Sequence, residues 1–104
     1  MAIDQTVYDE MKAYLNITWE DSATSQKLTG IIEDGMAYLN DKAGGAQNYA
    51  TPGKARSLLK DYCRYARDGA LDVFETNYLS LIMAMRDETV VMIDDAQETA
   101  GQAG

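Results

Sequence analysis

A single proline, Pro52, and the glycines beside it confine the breaks in this chain to a few places. Gly44, Gly45, Pro52 and Gly53 cluster in the middle, and Gly101 and Gly104 stand at the end. The long stretches between them lack proline. They are wide enough for helices and carry apolar residues at helical spacing, which predicts an all-α fold. The stretch from Thr51 to Glu88 is the clearest case. It holds two helical patterns back to back, each with an apolar face that a small bundle would bury. The second pattern also carries apolar residues well off that face.

Four helices are expected. The first runs from about Asp4 to Tyr14, capped by Asp4, with Ile3, Val7, Met11 and Leu15 recurring every four residues. The second begins between Trp19 and Ser22, where Thr18 and Asp21 have capping-box spacing, and ends before Gly44. Its inner face is Leu28, Ile31, Ile32, Gly35 and Leu39, and Gly35 is placed to let another helix approach closely. Thr51-Pro52 reads as the N-cap and first position of the third helix. That helix puts Ala55, Leu58, Leu59, Tyr62, Cys63 and Ala66 inside, and Asp68-Gly69 ends it.

The fourth helix is expected from about Ala70 to Arg86, with Leu71, Phe74, Tyr78, Leu81, Ile82 and Met85 in one stripe. Leu79 and Met83 project away from that stripe. Val90-Val91-Met92-Ile93 then reads as a short strand or extended arm, rich in β-branched residues, before an acidic end expected to be disordered. The domain is therefore 1–89, with residues 90–104 as arm and tail.

At 104 residues the chain fits one domain with one modest core. Its formal charge of −8 is uneven. Residues 1–50 and 87–104 are strongly acidic, whereas residues 51–86 carry a slight basic excess. A chain this acidic gains little from counterion release, which argues against tight DNA wrapping. Histidine is absent, so the commonest general base and metal ligand are missing. Cys63 is the one cysteine and reads as an inert core thiol. Adjacent acids such as Asp9-Glu10 and Glu33-Asp34 do not face each other on a helix and read as solvated. No metal, no cofactor and no enzymatic activity are expected. The opening residues do not read as a secretory signal, and no apolar run is long enough to span a bilayer, so no membrane association is expected.

The candidate contact residues form two groups and an arm. Arg56, Lys60, Arg64 and Arg67 line one face of the third helix. They read as a solvated face, as a protein contact with acids of a neighbouring copy such as Glu33, Asp34 or Asp41, or, least well, as a nucleic-acid face. Leu79 and Met83 read as an interface knob or as ordinary exposed apolar residues. Val90, Val91 and Ile93 read as an arm that docks on a neighbouring surface or folds back on its own bundle. Tyr62, Tyr65 and Tyr78 read as edges of the core, and Trp19 as a lid on it.

Two passages carry a resemblance. One is Met11-Lys-Ala-Tyr-Leu-Asn-Ile-Thr-Trp-Glu-Asp21 followed by Leu28, Ile31-Ile32 and Ala37-Tyr38-Leu39. The other is Leu58-Leu59-Lys-Asp-Tyr62-Cys-Arg-Tyr65 with Phe74-Glu-Thr-Asn77-Tyr78. Together they cover nearly everything from Val7 to Arg86. In this pattern the chain resembles the bacteriophage head–tail connector, or adaptor, proteins. The resemblance implies a structural virion protein, assembled in the bacterial host cytoplasm. Copies would form a ring, twelve-fold in such assemblies, on the portal protein at the capsid vertex. DNA would pass through without tight binding, and a tail or stopper protein would attach below. The alternative is a small acidic helical inhibitor that mimics DNA and binds a host protein.

Overall fold

The computed structural model describes residues 4–18 and 21–103, with side chains as far as residue 91. Four helices follow one another: α1 Gln5–Tyr14, α2 Ser22–Ala43, α3 Lys54–Arg67 and α4 Leu71–Ala103. No strand occurs among the described residues. The all-α bundle expected from the breaker pattern is thus the observed architecture. Ile3 and Trp19, expected on the inner face and over the core, lie outside the described residues.

Local chemistry sets the helix ends. The Asp4 carboxylate accepts from the Thr6 N–H at 2.8 Å and opens α1 as expected. Asp21, rather than Thr18, caps α2, accepting from the Thr24 N–H at 2.7 Å. A carboxylate makes a charge-assisted bond at the positive end of the helix that a hydroxyl cannot match. Gly44, at φ 79°, ends α2 in the left-handed region that a side chain would disfavour. Thr51-Pro52 does not start α3. Gly53 is extended and takes the N-cap position, and the helix begins at Lys54 without a side-chain cap.

The largest departure lies in α4. The extended arm expected from Val90 is absent, because the helix runs unbroken from Leu71 to Ala103. Adding a residue to an existing helix carries no nucleation cost, and residues 87–103 contain no proline. The local β-propensity of Val90, Val91 and Ile93 is therefore overridden, and the boundary drawn at residue 90 falls inside a helix.

The core gathers Val7, Met11 and Leu15 from α1, Leu28, Ile32 and Leu39 from α2, Leu58, Leu59, Tyr62 and Cys63 from α3, and Phe74, Ile82 and Met85 from α4. Phe74 is its centre. Its ring lies 5.6 Å from Tyr62, 5.8 Å from Tyr65, 5.1 Å from Tyr78 and 6.2 Å from Tyr38, mostly edge to face. Leu71 and Leu81, expected inside, are exposed instead. Leu71 stands at the end of the bundle beside the Asp68-Gly69 turn, and Leu81 lies at the margin of the stripe that faces α2 and α3.

The connection between α2 and α3 is pinned by polar contacts that periodicity does not reveal. Tyr49 is buried, and its hydroxyl donates to Asn40 Oδ1 at 2.7 Å. Gln47 reaches across to α4, its amide donating to Thr89 Oγ1 at 2.7 Å. The Thr89 hydroxyl in turn donates to the Met85 carbonyl at 2.9 Å, so this buried polar side chain has both partners it needs.

Candidate interaction surface

The basic face of α3 lies against α1 of the same chain. Glu10 accepts from the Arg56 guanidinium and stands 3.6 Å from Lys60 Nζ. The Arg56 hydrogen bond, reinforced by the positive charge of Lys60, holds the Glu10 carboxyl below the usual carboxylate range. Arg64 pairs with Asp61 one turn away at 3.6 Å and donates to the Tyr78 hydroxyl at 3.3 Å. Arg67 donates to the Leu15 carbonyl at 2.8 Å, placing a cation on the C-terminal end of α1. The four residues expected as one stripe thus do share a face. They tie α3 to α1 and α4: within the chain Arg56 and Lys60 meet Glu10, and Arg64 meets Asp61 of its own helix. Sequence spacing could not name Glu10, because nothing local links it to residues some fifty positions on.

Helix α2 is joined to α4 in a similar way. The Tyr38 hydroxyl and the Lys42 ammonium both meet the Glu75 carboxylate, Lys42 at 3.0 Å. Together they hold the Glu75 carboxyl below its ordinary range. Lys54 at the start of α3 pairs with Glu88 of α4 at 3.0 Å, across the open end of the antiparallel α3–α4 hairpin.

The outer surface of α4 is different. Leu79 is 52% exposed, Met83 42%, Val90 44% and Val91 58%. At 100° per residue, Leu79, Met83 and Val90 fall on one strip of the helix. The strip lies about 120° around the axis from the line of Phe74, Ile82 and Met85 that enters the core. Leu79 and Met83 therefore project into solvent as the periodicity predicts. Val90 joins them because the helix continues. Val91 points elsewhere, close to the direction of exposed Val73. The Ile93 backbone is helical, and its side chain lies outside the described part.

This surface offers apolar contact. No group of three His, Cys, Asp or Glu among the described residues is placed to hold a metal ion. No described helix is long and apolar enough to cross a membrane. Cys63 is fully buried, and burial pushes its thiol up to about 12, which keeps it protonated. Comparison of the chain with protein-family models, with curated proteins and with solved structures returns no match.

Proposed function

We propose that this chain is a structural assembly subunit that acts through the outer face of α4, and specifically a head–tail connector. Copies would dock as a ring on a portal, line the path of the DNA without gripping it, and receive a tail or stopper protein below. The observation that carries this reading is the row of solvent-facing apolar residues on α4. The bundle buries its own core, yet leaves Leu79, Met83 and Val90 uncovered along one strip. Apolar side chains in a line on a rigid helix are suited to hold a protein partner. The sequence resemblance over Val7 to Arg86 supplies the particular assembly.

The test is to mix the purified chain with portal rings from the same genome and image the product by electron microscopy. The parent chain should add a ring of density to the portal. Leu79→Asp with Met83→Asp should leave the helical content and melting temperature unchanged and abolish that density. Normal incorporation of the double variant would overturn the assignment. A DNA-mimic inhibitor would behave differently. It would bind a basic host protein through its acids and would not respond to the loss of Leu79 and Met83.

A further inference from the structure

The strip on α4 has the spacing of a helix-pairing seam. Asp72, Thr76, Leu79, Met83, Arg86 and Val90 follow one another at alternating steps of four and three residues. That spacing keeps one face of a helix turned toward a second helix along its length. The buried side of α4 is already occupied by α2 and α3, so this seam is a second, separate face. The side chains of Asp72 and Arg86 have no hydrogen bond or ion pair among the described residues. Arg86 is also the one base in α4.

From this arrangement we infer that the outer face of α4 pairs with the same face of a second copy of the chain, the two helices running antiparallel. Charge decides the direction. A parallel pair sets Asp72 beside Asp72 and Arg86 beside Arg86. An antiparallel pair with its two-fold axis between Leu79 and Met83 brings Leu79 of each helix to Met83 of the other. Arg86 then lies over Thr76 of the other copy, one turn from that copy's Asp72, and the same contact repeats across the axis. Leu79 and Met83 meet at the centre, and Arg86 and Asp72 come within a turn of each other outside them with Val90 opposite Asp72 at the end of the seam, an order that excludes water from the centre and leaves the charges at the rim. The described seam, from Asp72 to Val90, spans about 27 Å of helix. A contact of that length belongs to the small, reversible class of interfaces. The pairing concerns the purified chain alone and does not rest on the connector reading. In an assembly, docking of this face on another protein would have to displace it.

Sedimentation of the full chain at about 0.15 M salt, which screens the repulsion between two acidic copies, tests the pairing. The parent should show a reversible monomer–dimer equilibrium with a Kd of ~10–500 μM. Leu79→Glu with Met83→Glu should weaken it by at least about tenfold with the circular dichroism unchanged. Leu79→Ala with Met83→Ala, which adds no charge, should weaken it in the same direction. Asp72→Arg and Arg86→Asp should each weaken it by about fivefold, and the two combined should restore it, because the opposite charges then meet again with their positions exchanged. A chain that stays monomeric through that range would overturn the pairing, as would a dimer indifferent to Leu79 and Met83. A double charge exchange no better than the single ones would overturn the antiparallel direction. None of these outcomes bears on portal docking, which the microscopy reads separately.

Discussion

Gly35 of α2 lies directly against the Tyr62 ring of α3: a Cβ added at Gly35 would stand 2.7 Å from Tyr62 Cδ1 and 2.8 Å from Leu59 Cδ1. The two helices approach this closely because one of them has no side chain at the crossing. The Tyr62 ring has little room to yield, since Tyr38 and Phe74 pack on it at 5.6 Å each. Gly35→Ala sets a gain in helix propensity of about 1 kcal/mol against overpacking of about 1–3 kcal/mol. The overpacking should win, lowering the melting temperature by roughly 5–10 °C. Gly30 is the control. Nothing lies within 4 Å of a Cβ there, so Gly30→Ala should raise the melting temperature by a few degrees. Thermal unfolding followed by circular dichroism reads both. Equal responses at the two positions would mean that the crossing is looser than described.

Phe74 holds four tyrosine rings around it and is 1% exposed. Phe74→Ala removes a ring that Tyr38, Tyr62, Tyr65 and Tyr78 cannot jointly replace. The expected cost is about 3–5 kcal/mol, against a total stability of about 5–15 kcal/mol for a domain of this kind. Chemical denaturation should show a large drop in midpoint or no folded baseline at all. Phe74→Leu, which keeps most of the volume, should be markedly milder.

Glu10 links α1 to Arg56 and Lys60, and its folded-state pKa is depressed. A carboxylate held low in the folded state stabilises the fold above its unfolded pKa of about 4.3, and that contribution is lost as pH falls through the folded value. Glu75, held by Tyr38 and then Lys42, acts in the same direction. Stability should therefore decline on acidification below about pH 4.5, even though protonation also relieves the overall negative charge. Glu10→Gln should be less stable than the parent at pH 7, and the gap should close toward pH 3. Denaturation midpoints across that window, parent against variant, provide the check. A gap that persists unchanged at acid pH would mean the ion pair is not its source.

Cys63 is sealed in the core, and burial raises its thiol to about 12. Because the folded pKa is raised, the stability from keeping the thiol neutral is present below the unfolded value of about 8.5 and is lost as pH rises above it. An aromatic disulfide reagent at pH 8 should therefore react with the folded chain only at the rate at which the core opens. In denaturant the same reagent should react at once. Rapid labelling of the folded chain would show that the core around Cys63 opens far more readily than this packing allows.

The helix count, the break at Gly44 and the turn at Asp68-Gly69 were legible in the sequence because they depend on residues close together in the chain. So were the inner faces of α1 to α3, the close approach at Gly35, and the outward direction of Leu79 and Met83. Each follows from a period of 3.6 residues and the backbone demands of glycine and proline. Helix starts were harder to read. At Asp21 and Gly53 several local options compete within about 1 kcal/mol, and at α2 a single carboxylate decides between them. What only the tertiary structure decided were relations across many residues. Glu10 becomes the partner of Arg56, Gln47 of Thr89, and Tyr49 turns inward to Asn40. The same holds for α4 past Arg86. Val90 and Val91 favour a strand when read locally, yet the helix already nucleated at Leu71 carries them on its surface. That continuation, a cooperative property of the whole helix rather than a preference of either valine, lines up Val90 with Leu79 and Met83.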